Sequence, residues 1–210
     1  MADSKLYYAE TLNPRKACVV AKYLHSPVEF VRVDLAKGEQ RSPAFAAINP
    51  NRKVPALDIG GRTLWEANAI MCYLARFAGS DLWPEDERQV EVMRWLSWDT
   101  QHFTHHAGTL YFEYLIKPHF GMGGADATAV EEATGYFRKF ASVLGEHLRG
   151  RKYLLGDTLT IADFAVGVTL PYAEAAHIPI KEFPEIERWH ARLCELPAWR
   201  EPFPVMRAAA

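Results

Sequence analysis

Ile48-Asn49-Pro50-Asn51-Arg52-Lys53-Val54-Pro55-Ala56-Leu57-Asp58-Ile59-Gly60-Gly61-Arg62-Thr63-Leu64-Trp65-Glu66-Ala67-Asn68-Ala69-Ile70 carries a hairpin, a helix start and the polar groups between them. Two short apolar runs, Val54 to Ile59 and Arg62 to Trp65, flank Gly60-Gly61. That pairing tolerates positive φ at both central positions of a two-residue turn, so the runs read as antiparallel strands. Pro55 cannot donate to a ladder, which puts it at the start of its strand or on a sheet edge. After Trp65 the period changes, with Ile70, Tyr73, Leu74 and Phe77 at i, i+3, i+4 and i+7, and a helix is predicted from Glu66 or Ala67. A helix start offers unpaired N–H groups to an anion, and a neighbouring carboxylate offers an acceptor to an ammonium. The stretch therefore predicts a site for a zwitterion.

Toward the N-terminus, Lys5 to Ala9 reads as a strand, and Ala17, Val20, Ala21 and Leu24 form the apolar stripe of a helix. Pro14 suits the first helical position and Asn13 the N-cap, so this helix is predicted to start at Pro14. Val28 to Val33 is a second strand, and two strands separated by a helix imply a right-handed parallel unit. With a short helix or turn at Ser42 to Ile48, the first 77 or so residues read β-α-β-α-β-β-α, the thioredoxin-like order. Gly79-Ser80-Asp81 and Pro84 break the pattern. The expected organisation is an α/β domain over 1–78, a linker over 79–85 and an all-helical domain over 86–210.

The helical part shows one long pattern from Glu87 to about Leu115 and a second from Thr128 to Arg149, with Phe137, Phe140, Leu144 and Leu148 on one face. A third runs from Ile161 to Leu170, and Ile186, Trp189, His190 and Leu193 mark a fourth before Pro197. Thr160-Ile161-Ala162-Asp163 has the capping-box spacing, with Leu159 and Phe164 placed as a hydrophobic staple. There is no internal repeat, and low complexity is confined to the Ala208-Ala209-Ala210 end.

Over 210 residues, 49% hydrophobic and 24% charged usage describes an ordinary folded chain with room for a real core. A net charge of -2 without a basic cluster gives no drive toward nucleic acid. Met1-Ala2-Asp3-Ser4-Lys5 leads straight into a strand with no signal segment, and no apolar run approaches the roughly 18 residues a membrane span needs. A cytoplasmic protein without membrane partners is expected. Cys18, Cys72 and Cys194 are too few and too scattered for a disulfide framework or zinc site; all three should be reduced, two or more of them buried.

Asn49-Pro50-Asn51-Arg52-Lys53-Val54-Pro55-Ala56-Leu57, then Glu66-Ala67-Asn68-Ala69-Ile70, and the distant Gly156-Asp157-Thr158-Leu159-Thr160-Ile161-Ala162-Asp163 together resemble the soluble glutathione transferases over essentially the whole chain. The resemblance implies a thioredoxin-like domain followed by a helical bundle, a homodimer, and glutathione as co-substrate without a metal. It further implies a cis Val54-Pro55 bond, with the Val54 backbone pairing with the cysteinyl part of glutathione. Gln40, Lys53, Val54, Pro55, Glu66 and Ala67 would be the glutathione-binding residues, Lys53 toward the glycine end and Glu66 with Ala67 at the γ-glutamyl end. Ala67 departs from the serine usual in the family. Losing that hydroxyl removes a hydrogen bond worth roughly 1 kcal/mol, or ~1.5–3 if the partner is charged.

In this family the thiolate forms where the first strand meets the first helix, here Tyr7-Tyr8-Ala9-Glu10-Thr11-Leu12-Asn13-Pro14. A free thiol has a pKa near ~8.5, and lowering it by two units takes about 2.7 kcal/mol of preferential stabilisation of the anion. A helix N-terminus and a hydroxyl or amide donor can supply it. The segment lacks a clean Tyr, Ser or Cys and instead resembles the Thr-x-Asn arrangement of the bacterial nu-class transferases, which also reduce small disulfides. Carried over, Thr11 gives a hydroxyl and Asn13 an amide to the sulfur. Asn13 could equally be only the N-cap, whereas no cap requires Thr11. Tyr8 is a reserve candidate, since Tyr7 and Tyr8 face opposite sides of the strand.

The second substrate, a small electrophile or disulfide, is expected against the long helix, where His102, His106 and Tyr111 are candidate pocket residues; plain packing is the alternative. His102 and His106 at i, i+4 lack an H-E-x-x-H arrangement or a nearby acid, so no metal is expected. The function expected is a glutathione S-transferase that conjugates glutathione to an electrophile or uses it to reduce disulfides. The competing reading is a non-catalytic glutathione-binding or protein-interaction module of the same fold.

Overall fold

The computed structural model describes residues 3–205; the Ala208-Ala209-Ala210 end lies outside the described residues. The chain divides into two compact units, and the first joins residues up to Ser80 with the segment from Glu195 onward.

In the first unit, β1 (Ser4–Tyr8), α1 (Leu12–Tyr23) and β2 (Glu29–Arg32) follow in order, and the two strands pair in parallel with Leu6 opposite Phe30. β3 (Ala56–Ile59) runs antiparallel to β1, and β4 (Arg62–Trp65) antiparallel to β3, giving the sheet order β2-β1-β3-β4. Gly60 and Gly61 do take positive φ, 61° and 96°, and the Asp58 carboxylate accepts the Gly61 N–H at 2.7 Å. Between β2 and β3 lies α2 (Pro43–Ile48), capped by the Ser42 hydroxyl, which accepts from the Phe45 N–H at 3.1 Å. α3 (Ala67–Phe77) follows β4 and packs on α1, burying Ile70, Met71 and Leu74 with Val19, Val20, Leu6 and Leu57.

The start of α1 differs from the sequence expectation. The helix begins at Leu12, so Thr11 occupies the N-cap position, Asn13 is the second helical residue and Pro14 the third. Any of the first three helical positions has an N–H without an intrahelical acceptor, so proline is tolerated across the whole first turn and does not mark its first residue.

The second unit spans Asp81 to Cys194. Composition marks 79–85 as a linker, yet from Asp81 onward the chain is built into this unit: Arg88 binds Asp81 and Asp86, and the buried Leu82 accepts the Ile161 N–H at 3.0 Å. The long helical pattern is realised as α4 (Arg88–Trp98), α5 (Thr104–Tyr111) and α6 (Lys117–His119), joined by π-helical turns at Asp99–Phe103 and Phe112–Ile116. At the first of these, the fully buried Asp99 accepts from the Thr104 hydroxyl at 2.6 Å. α7 (Ala127–Leu148) is capped by Asp126, which accepts from the Thr128 and Ala129 N–H groups at 2.9 and 3.0 Å.

α8 (Ile161–Val166) ends at Val166 with Gly167 as C-cap, short of the predicted Leu170, because Pro171 follows within the next turn. Thr160 and Asp163 form the expected capping box. The Asp163 carboxylate also accepts from Leu154 N–H at 2.9 Å and from the indole of Trp189, on α9 (Pro184–Leu193), at 3.1 Å.

The sequence predicts a helical domain over 86–210. The described residues from Glu195 to Val205, however, pack in the first unit. α10 (Pro197–Arg200) buries Trp199, whose carbonyl takes a hydrogen bond from Arg15, while Lys22 Nζ donates to the carbonyls of Glu201 and Phe203 at 2.6 and 2.8 Å. A helix of four residues has no periodicity to read, so this placement is decided by tertiary contacts alone.

Candidate functional site

Thr11 is half-buried with extended backbone, φ -133° and ψ 173°, and its side chain makes no capping bond. Its N–H donates to the Ala9 carbonyl at 2.8 Å, and its carbonyl accepts the Arg15 N–H at 3.1 Å, the first bond of the helix. Asn13 is exposed within the first turn and does not cap the helix. Leu12 and Asn13 lie within the first turn, so their N–H groups have no intrahelical acceptor, and no acidic side chain sits in this turn. A hydroxyl, an amide and two amide N–H groups are thus available at one helix start, without being consumed by the fold.

Tyr8 does not join them. Its ring is 3% exposed, stacked on Phe203 at 5.7 Å and edge-on to Phe30 at 6.1 Å. Burial, and then the negative charge of Glu10, raise its hydroxyl pKa. Tyr7, on the opposite face, is edge-on to Phe45 and packs on the Val33, Phe45 and Ala56 cluster, as Val54 also does.

The Val54-Pro55 bond is cis. The loop before it is held by Asn49, a motif residue outside the expected binding set. Asn49 is buried; its amide donates to the Lys53 carbonyl at 2.6 Å, and its side-chain oxygen accepts the Asn51 N–H at 3.0 Å. An Asx side chain bonding two residues onward, ahead of a proline, is a turn signal that could have identified it. Lys53 itself is exposed, Val54 half-buried and Pro55 buried. Gln40 lies on the 3-10 turn Glu39–Arg41, and its enclosed side-chain oxygen has no hydrogen-bond partner among the described residues.

Glu66 stands at the N-cap position of α3 with φ 72° and ψ 119°. A non-glycine residue at positive φ carries a cost of order 1–3 kcal/mol. The strain does not serve the helix, because the Glu66 side chain makes no capping bond and is exposed. Ala67, the first helical residue, is buried. The carboxylate and the first N–H groups of α3 thus remain available to an external ammonium and carboxylate.

In the second unit, His102 stacks on Phe140 at 4.5 Å, and His106 lies between Phe140 at 5.7 Å and Tyr136 at 4.7 Å. Burial, followed by the neighbouring His105, lowers the His106 pKa. Tyr111 is buried edge-on to Tyr172 at 5.0 Å, and burial pushes its hydroxyl up to about 12. All three rings take part in the packing of this unit. Of the cysteines only Cys18 is buried; Cys72 and Cys194 are half-buried, fewer buried than the sequence predicts, and none of the three is in a disulfide. Enclosure of Cys18 drives its thiol pKa far up, so it is inert as a nucleophile. Among the described residues no helix is long and apolar enough to cross a membrane.

A thioredoxin-like sheet with a cis-proline loop, a strained acid at α3 and an uncapped α1, followed by a helical unit, defines a two-unit fold of the thioredoxin-like class. Residues 4–76 match the glutathione S-transferase N-terminal domain and residues 127–208 the C-terminal domain. Glutathione S-transferase 3 of Zea mays is 33% identical over 96% of this chain and 93% of its own length. Among solved structures, a glutathione S-transferase I bound to lactoylglutathione matches with a TM-score of 0.87 at 28% identity, over 95% of this chain and 97% of the other. A transferase from Burkholderia graminis with two glutathione molecules per subunit matches with a TM-score of 0.80 at 26% identity, over 95% and 86%. The chain belongs to the glutathione S-transferase family. The relative in Zea mays is a plant enzyme rather than a nu-class bacterial one.

Proposed function

We propose that glutathione lies along the first unit with its γ-glutamyl end at Glu66 and the start of α3, its cysteinyl backbone against Val54, its glycine end toward Lys53 and Gln40, and its sulfur at the start of α1. The protein is a glutathione transferase that activates this thiol. The observation that carries the reading is Glu66: a residue held at φ 72° with its carboxylate turned out of its own helix cap. An exposed acid kept in a costly conformation that brings the helix nothing is accounted for by a ligand ammonium.

Thr11 and Asn13 are the sulfur donors. Neither side chain is spent on capping α1, and the free N–H groups of the first turn add the positive end of the helix dipole. The thiolate then attacks an electrophile, or a disulfide sulfur, displacing the other sulfur as thiolate. Tyr8 takes no part, since its ring is enclosed by Phe203 and Phe30. His102, His106 and Tyr111 remain the candidate residues for the second substrate; His106 is partly open at its stack with Tyr136. The working form is a cytoplasmic homodimer.

Retention on immobilised glutathione, followed by assays with an aryl halide and with a small disulfide, tests the reading. Retention with turnover of either substrate is expected. Retention without turnover of any electrophile or disulfide would leave a binding module, and failure to bind would remove the site.

A further inference from the structure

We propose that Arg15 is a positioning residue for the bound sulfur: clamped by Trp199, it fixes the first turn of α1 on which Thr11 and Asn13 stand. The inference rests on the reading above that the sulfur sits at this turn.

The first turn of α1 lacks the local devices that usually hold a helix start. The Thr11 hydroxyl is not a cap, and no acid lies in the first turn. What holds it is a pair of ties at its two ends. At one end the Thr11 N–H is bonded to the Ala9 carbonyl at the exit of β1, 2.8 Å away. At the other, the Arg15 N–H closes the turn on the Thr11 carbonyl at 3.1 Å.

Arg15 itself is anchored by its side chain, which is only 6% exposed. The guanidinium donates through Nη2 to the Trp199 carbonyl and sits 5.0 Å from the centre of the Trp199 ring. Trp199 is 1% exposed, and its segment is further tied by Lys22 to Glu201 and Phe203 and by the stacking of Phe203 on Tyr8. The Lys22 ties are at the far end of α1, and the Phe203 stack rests on β1. They keep the segment in place when Arg15 is altered, so that loss of Arg15 loosens the first turn rather than the unit. Donors that must meet a sulfur anion lose much of their effect when displaced by about an ångström.

Arg15→Met and Arg15→Lys test this against Thr11→Ala, each measured by thiolate absorbance titration of the glutathione complex, by the pH profile of kcat, and by the KM for glutathione. Arg15→Met is expected to raise the thiol pKa of the complex by about half a unit or more, as donors to the charged form are displaced. Its kcat at pH 7 should fall three- to tenfold, with the loss disappearing at high pH and KM for glutathione within twofold. Arg15→Lys, which keeps a donor for the Trp199 carbonyl and a cation for its ring, should recover at least half of that loss and remains the test if the Met variant does not fold. A titration and pH profile identical to the parent's in Arg15→Met, or a kcat lowered equally at every pH, overturns the proposal. If Thr11→Ala shifts the titration and Arg15→Met does not, only the positioning role fails. If neither shifts it, the placement of the sulfur fails with it.

Discussion

Thr11→Ala separates chemistry from architecture at the start of α1. The Thr11 hydroxyl occupies the N-cap position without making the capping bond. Its removal should therefore change stability by less than about 0.5 kcal/mol, whereas loss of a working threonine cap costs about 1 kcal/mol. In the glutathione complex the same hydroxyl is a donor to an anion, worth about 1.5–3 kcal/mol. At about 1.36 kcal/mol per pKa unit, the thiol pKa of the complex should rise by about 1–2 units. If the parent holds it two units below the free value of ~8.5, the thiolate fraction at pH 7 falls roughly three- to twenty-five-fold, and the rate with it. Urea unfolding of the free protein and absorbance titration of the complex measure the two effects independently. Asn13→Ala, at an exposed second helical position, should be neutral or slightly stabilising and should raise the pKa in the same direction. A Thr11→Ala protein with an unchanged titration, or one that loses 1 kcal/mol or more of stability, refutes the reasoning.

Glu66→Gly should stabilise the free protein by about 1 kcal/mol, since glycine adopts φ 72° without cost, while weakening glutathione binding at least tenfold by calorimetry through loss of a charged hydrogen bond of ~1.5–3 kcal/mol; unchanged affinity would show that the ammonium is held elsewhere. Asp163→Asn leaves two of the four donors, Leu154 N–H, Trp189 Nε1, Thr160 N–H and the Thr160 hydroxyl, facing an amide, and should cost about 3–5 kcal/mol of stability, read as a lower urea midpoint at constant slope. Complete burial raises the Asp163 pKa to about 6 against the pull of its donors, above its unfolded value of ~3.9. Its protonated form thus contributes stability that is complete below about pH 4 and lost as pH rises through about 6, so the Asn variant should lack that slope. Light scattering should give twice the 23.8 kDa chain mass, and a monomer mass at micromolar concentration would rule out the dimer.

Much of the first unit is determined by local chemistry. Gly60-Gly61 dictates the hairpin because of φ, and Ile70 to Phe77 dictates α3 because of period, and both stand where the sequence put them. The capping box at Thr160 and Asp163 is likewise a four-residue rule that needs no tertiary partner to be read. At the α1 start the local rule was ambiguous, because Asn13 and Pro14 satisfy the first-turn preferences at more than one register. The register was decided by Thr11 meeting Ala9 at the strand exit and by Arg15 meeting Trp199.

What only the tertiary structure decided are the contacts between residues far apart in sequence. The return of the Glu195 segment to α1, the burial of Tyr8 beneath Phe203, the stacking of His102 and His106 on Phe140, and the reach of Asp163 to Trp189 all depend on which elements meet in space. The strain at Glu66 belongs with them. No propensity places a glutamate at positive φ, so the conformation shows only where β4, ending at Trp65, meets α3, starting at Ala67.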